Sequence, residues 1–220
     1  MINYVLRIVA LTLFVLSPAA AQAEVECVAL LHGLTRTSTS MIRMEIKLEQ
    51  AGFKVVNSNY ASRDQSVQNL ASNVVKDAIN ACEVFSPDKI HFVTHSLGGI
   101  LVRFYFLDKQ HDKLGRVVML GPPNQGSELV DVLDNIPGFS FLNGPSGSQL
   151  GTRNGSMSRF LRAVNFELGI IAGNQSINPL YSMMIPGPDD GKVSVESTRL
   201  DGNSQHIVMP VTHTWMMFNT

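Results

Sequence analysis

The chain has 220 residues, 45% of them hydrophobic and 16% charged, with a formal net charge of −1. That length and composition suit one globular domain with a substantial core. The near-neutral balance, with no run of Lys or Arg, excludes a nucleic-acid partner, because phosphate binding needs clustered cations.

In chain order, residues 1–23 read as an export signal. Arg7 supplies the positive start, Ile8 to Leu16 an apolar core, and Ser17-Pro18 a break. Ala21-Gln22-Ala23 is a cleavage pattern before Glu24. The apolar core is too short to span a bilayer, and no later stretch is long enough either, so no membrane span is expected in the mature chain, 24–220. That chain is expected in a bacterial periplasm or outside the cell. In such an oxidising space Cys27 and Cys82 are a candidate disulfide, with two buried free thiols as the alternative. Cys27 begins the first predicted strand and Cys82 ends the second helix, which places both near the bottom edge of a sheet. Neither has metal-ligand spacing, so no metal site is expected.

The rest alternates strand and helix. Val28 to Leu31 is an apolar run ending in His32-Gly33. A helix is expected over Ser38 to Ala51, with Met41, Met44, Ile46 and Leu48 as its apolar positions and Gly52 closing it. Phe53 to Asn59 reads as a strand. Ser66 caps a helix whose Val67, Leu70, Ala71, Val74, Val75, Ala78 and Ile79 share one face. Strands are expected at Ile90 to Thr94, Val117 to Leu120, Leu168 to Ala172 and Ile207 to Val211, with a helix from Gly98 to Leu107. This alternation implies a mainly parallel sheet of about six strands with helices on both faces.

Thr94-His95-Ser96-Leu97-Gly98-Gly99, between a short β-rich run and a helix-like run, has the form of a nucleophile elbow. Such a turn pushes the Ser hydroxyl out at the top of a sheet, and the positions two before and two after it must be small. Gly98 meets that need; Thr94 stands where Gly is usual. Sites in such sheets collect at the carboxyl ends of the strands. Those ends carry His32-Gly33-Leu34, then Ser96, then Gly121 to Ser127, then Asp189-Asp190-Gly191-Lys192-Val193, then Thr212-His213-Thr214. Ser, Asp and His therefore follow one another in chain order.

With these motifs in order and in position, the chain resembles the small bacterial lipases and esterases of the α/β-hydrolase superfamily. The resemblance covers nearly all of 24–220 and implies the α/β-hydrolase fold with a modest cap insertion at about 121–165. It implies Ser96 as nucleophile, His213 as general base and acid, and Asp190 as the residue that orients the imidazole. Asp190 is preferred to Asp189 because lipases of this type place the acid directly before the Gly of a D-G-x-V stretch; Asp189 then caps the loop. The backbone N–H groups of Leu34 and Leu97 would form the oxyanion hole. No cofactor is implied. Related hydrolases continue past the catalytic His into a closing helix, whereas here only seven residues follow His213, so that helix is absent or lies beyond this sequence.

Other residues receive plainer expectations. His32 braces its loop, His95 points away from the acyl carbonyl, and Trp215 either lines the pocket or packs under the last strand. Phe139, Phe141 and Leu142 either roof the site or pack on the body. Leu180 to Pro186 could widen the acyl site. Three functions fit the triad order. The first is an exported ester hydrolase acting on an ester or lipid with an apolar acyl group. The second is an acyltransferase or thioesterase with the same triad, and the third a non-catalytic binding protein of the same fold.

Overall fold

A computed structural model describes residues 24–161, 163–202 and 204–219; the expected export signal, 1–23, lies outside the described residues. Six strands form one parallel sheet: β1 Glu26–Leu31, β2 Lys54–Ser58, β3 Lys89–His95, β4 Leu114–Leu120, β5 Leu168–Gly173 and β6 Ser204–Met209. Their spatial order is β2-β1-β3-β4-β5-β6. The order reverses between β1 and β3, the place where an open parallel sheet leaves a crevice beyond its strand ends.

The side chains of β1 show why the sheet needs helices on both faces. Cys27, Ala29 and Leu31 belong to one core, with Leu70, Val75, Phe92 and Leu101, while Val28 and Leu30 belong to a second, with Met41, Leu120 and Met217. A strand covered on both sides is apolar at every position rather than at alternate ones, as Cys27 to Leu31 are. Each large apolar side chain so buried stabilises by roughly 1.5–3 kcal/mol. The first core is covered by α2 (Val67–Leu70), a π-helical turn (Ala71–Val75), α3 (Lys76–Glu83) and α4 (Leu97–Tyr105). Ser66 caps α2 as expected, its hydroxyl accepting from the Asn69 amide at 3.4 Å.

The second core is covered by a 3-10 turn, Ser38–Met41, by α1, Ile42–Gln50, and by a 3-10 turn at Met216–Phe218. Met41 is fully buried and Met44 and Leu48 pack on this core, whereas Ile46 is exposed. Gly52 follows α1 at φ +100°, the left-handed turn that closes a helix without a Cβ penalty. Beyond β4 lie α5 (Glu128–Leu133), α6 (Phe139–Ser148, broken at Gly144-Pro145) and α7 (Met157–Phe160). Beyond β5 lies α8, Pro179–Ser182.

Two expectations shift. The last strand is Ser204–Met209, not Ile207 to Val211. Pro210 has no N–H to donate, so pairing stops before it, and the polar start Ser204-Gln205-His206 is tolerated because β6 is an edge strand. The helix after Ser96 begins at Leu97 and ends at Tyr105. Cys27 and Cys82 form a disulfide joining the start of β1 to α3, at the end of the sheet opposite Ser96. No helix among the described residues is long and apolar enough to cross a membrane.

Candidate active site

Ser96 sits between β3 and α4 with φ 52° and ψ −118°. A non-glycine residue in such a region costs of order 1–3 kcal/mol, so the surroundings must enforce it. They do so through two bonds: the Ser96 amide donates to the Leu120 carbonyl at 2.9 Å, and the Gly99 amide donates to the Ser96 carbonyl at 3.0 Å. The small residue expected at position 98 is needed for contact with β1. A Cβ on Gly98 would lie 2.5 Å from the Leu31 carbonyl oxygen and 3.1 Å from that of His32. Gly98 therefore lets α4 approach the end of β1. Space beside Thr94 comes instead from Gly99, where a Cβ would meet the Thr94 hydroxyl at 3.2 Å. That hydroxyl donates to the Val118 carbonyl at 3.4 Å, which explains how a buried Thr is accepted before the elbow.

His213 follows β6 and is buried. Its Nδ1 lies 2.7 Å from Asp190 Oδ2. A carboxylate only accepts, so Nδ1 donates to it, and in the neutral ring that leaves Nε2 as the acceptor, the tautomer a base requires. Asp190 Oδ1 accepts from the Lys192 and Val193 amides at 3.0 and 2.9 Å, and the His213 amide donates to the Asp190 carbonyl at 2.8 Å. Every oxygen of this buried carboxylate is thus satisfied. Asp189 does something else: its Oδ1 accepts from Ser182 Oγ at 3.0 Å and from the Gly191 amide at 2.7 Å, which holds the loop closed. Asp190, not Asp189, meets the imidazole. Ser96 and His213 line one cavity of about 390 Å³. No hydrogen bond joins the Ser96 hydroxyl to His213 among the described residues; bonds of this kind tighten when a substrate is held.

The loop beyond β1 completes the mouth. In parallel register Leu31 pairs with Thr94, so His32-Gly33-Leu34 emerges beside Ser96. A Cβ on Gly33 would lie 2.7 Å from His95 Nδ1 and 3.1 Å from Ser96 Cβ, so glycine lets the loop come this close without displacing either side chain. His32 braces it. Its Nε2 accepts from the Tyr60 amide at 3.3 Å, its Nδ1 donates to the Gly33 carbonyl at 2.9 Å, and its ring stacks on Tyr60 at 4.0 Å. The Tyr60 hydroxyl donates to the His32 carbonyl. Burial, only partly offset by these bonds, holds the imidazole below its ordinary pKa, so it stays neutral. Leu34 lines the cavity, and Leu97 opens α4, where an N–H has no partner within the helix.

The insertion adds apolar lining to the cavity: Leu129, Val130, Leu133, Ile136, Phe139 and Leu142. Phe139 and Leu142 face the cavity, but Phe141 is 87% exposed and no part of a roof. Of the Leu180 to Pro186 stretch only Tyr181 lines the cavity, while Leu180 and Met183 are exposed. Trp215 is 58% exposed, sits against Phe218 at 5.5 Å between ring centres and lies outside the cavity.

Several residues carry no linear signal of their part here. His95 is buried, and its Nε2 donates to the His213 carbonyl at 2.9 Å, which ties the elbow to the loop carrying the imidazole. Burial, and next the neighbouring His213, push its pKa well below the ordinary value. Arg103, in the last turn of α4, donates through Nη1 to the carbonyl and side-chain oxygens of Asn124 at 2.9 and 3.0 Å, and through Nη2 to the Leu161 carbonyl at 3.4 Å. Burial lowers this guanidinium to about 10. Asn124 in turn donates to the Thr198 carbonyl at 2.8 Å. This network fastens the base of the insertion to the sheet body. Arg36 and Lys192 also line the cavity, which only the meeting of two distant loops reveals.

The architecture is that of known hydrolases. A lipase of Bacillus licheniformis, BlEst2 in its mature form, superposes with a TM-score of 0.73 at 18% identity, covering 89% of this chain and 88% of its own. An esterase of Pyrococcus furiosus gives 0.62 at 15% identity over 90% of this chain and 78% of its own. A metagenomic carboxyl esterase gives 0.62 at 15% identity over 87% of this chain and 65% of its own. The chain therefore has the α/β-hydrolase fold. No protein-family model and no curated protein sequence matches it.

Proposed function

We propose that this protein is a serine hydrolase that cleaves carboxylic esters through an acyl-enzyme on Ser96. The observation that carries the reading is the buried His213–Asp190 pair, 2.7 Å apart, opening onto the same cavity as a hydroxyl held on a strained strand-to-helix turn. In the first step His213 Nε2 takes the Ser96 proton as Oγ bonds to the acyl carbon. The bond from that carbon to the alcohol oxygen then breaks, and the same proton passes from Nε2 to the departing alcohol. Water, deprotonated by Nε2, repeats the sequence in reverse and frees the acid. Asp190 holds the tautomer and stabilises the imidazolium. The Leu34 and Leu97 amides are the expected donors to the oxyanion, each worth about 3 kcal/mol in the transition state. The apolar wall from the insertion would receive the acyl chain, in keeping with the lipase and esterase names of the structural neighbours.

We further infer that the protein works outside the cytoplasm. The pattern of residues 1–23 supports this, as does a buried disulfide that an oxidising compartment would form and keep. A fluorophosphonate probe followed by peptide mapping tests the central reading. Label on Ser96, lost in Ser96→Ala, together with release of nitrophenol from acyl esters, is the expected result. Folded protein that takes no label and turns over no ester would refute it.

A further inference from the structure

The reading of Ser96 and His213 as an acyl-transferring pair leaves the other half of the substrate unassigned, and the cavity's charge speaks to it. Its lining includes two basic side chains, Arg36 and Lys192, and no Asp or Glu. Neither cation has a carboxylate within 4 Å among the described residues. The carboxylate that Lys192 feels is Asp190, whose oxygens are already taken by His213 and two amides. Arg36 is placed by a single neutral contact, Nη2 to Thr214 Oγ1 at 3.3 Å, which leaves most of its donors free for a ligand. Lys192 is exposed by area, yet the enclosing walls and then Arg36 lower its pKa. Arg36 thus disfavours the charge of Lys192 inside the cavity, and an anion placed between the two would favour it.

Their position says which half of the ester the anion belongs to. Arg36 Nη2 reaches Thr214, the residue after His213, and the Lys192 amide holds Asp190 Oδ1, so each cation is tied to a segment that carries the imidazole or its carboxylate partner. The imidazole delivers its proton to the leaving alcohol, so the alcohol half must lie beside the imidazole. The acyl half is left to the apolar wall of Leu129, Leu133, Ile136 and Phe139. We propose that the preferred substrates are esters whose alcohol half carries an anionic group, a phosphate or a carboxylate, received by Arg36 and Lys192.

The test compares turnover of two matched pairs below their micelle-forming concentrations. One pair is decanoylglycerol phosphate against decanoylglycerol. The other is a carboxylated nitrophenyl decanoate against plain nitrophenyl decanoate. The readout is the ratio of kcat/KM, anionic over neutral, within each pair. The native protein should favour the anionic member by about tenfold or more, as expected for a charge-assisted contact. The ratio should fall toward one in Arg36→Gln with Lys192→Gln, hold in Arg36→Lys, and narrow with added salt. Preference in both pairs marks charge itself as the determinant; preference in the phosphate pair alone marks phosphate as the source, and either supports the inference. Native ratios at or below one in both pairs, with neutral esters still cleaved, overturn it and leave the ester-hydrolase reading intact. Failure to cleave any of the four, with Ser96 unlabelled by fluorophosphonate, overturns that reading first and this inference with it.

Discussion

Replacing both Cys27 and Cys82 by Ala should separate stability from catalysis. The two cysteines are 55 residues apart in sequence. Closing a loop of that size removes about 14 cal/mol/K from the unfolded chain, or about 4 kcal/mol at 25 °C. For a domain of this size each kcal/mol moves Tm by about 2–4 °C, so the variant should melt about 8–16 °C lower. Cys27 is level with Ile90 in the sheet, six residues before Ser96 on β3. At about 3.3 Å per residue, the bond lies roughly 20 Å from the hydroxyl. Well below the new Tm, kcat/KM on a nitrophenyl ester should therefore stay within about twofold of the parent, as expected for sites too distant to share partners. The assay is paired: calorimetry for Tm, and initial rates at 25 °C on samples shown by circular dichroism to be folded. A Tm drop under about 3 °C would mean that the unfolded chain gains little freedom when the loop opens. A large rate loss in fully folded protein would mean that the two ends of the sheet are coupled despite their separation.

The two neighbouring carboxylates should behave differently. Asp190→Asn disturbs the tautomer of His213 and should slow kcat by about three to four orders of magnitude, whereas Asp189→Asn keeps an oxygen for Ser182 and Gly191 and should stay within about tenfold; steady-state rates decide. Gly98→Ala would gain about 1 kcal/mol of helix propensity but place a methyl 2.5 Å from the Leu31 carbonyl oxygen. Backbone cannot yield as a side chain can, so the clash should win, with kcat at least about tenfold lower through displacement of the elbow; an Ala variant as active as the parent would show that β1 and α4 are not in tight contact. Acid should destabilise the protein in a defined direction. His32 and His95 titrate below 6.5 when folded, so the unfolded chain takes up more protons as the pH falls through that value. The stability they contribute is present above about pH 6.5 and lost below it. Urea midpoints should drop from neutral to mildly acidic pH, with a shallower drop in His95→Gln.

The alternation of apolar strands with amphipathic helices was legible because both periodicities are local. Val67 to Ile79 shows one buried face, and Cys27 to Leu31 shows none exposed, without reference to any other part of the chain. The elbow was legible for the same reason, since Ser96 and the small residues around it are one turn. The start of β6 was not, because an edge strand tolerates Ser204-Gln205-His206 on the strength of a neighbour, β5, that supplies the pairing. Asp189 and Asp190 differ by one position, and the D-G-x-V resemblance favoured Asp190 without showing what either carboxylate touches. The loop between them and Val193 decides, by turning one carboxylate toward Gly191 and the other toward an imidazole 23 residues away.

By itself the chain of residues determined the order of strands and helices, the strained turn and the residue types available to it. Only tertiary structure decided which of those types meet. It set His95 against the His213 carbonyl, Arg103 beneath the insertion, and Arg36 beside Lys192 in one cavity. The reason is physical: periodicity reports which side a residue buries, whereas a pair contact depends on how loops from separate strands close over the sheet's end, and nothing in either loop alone encodes the other's path.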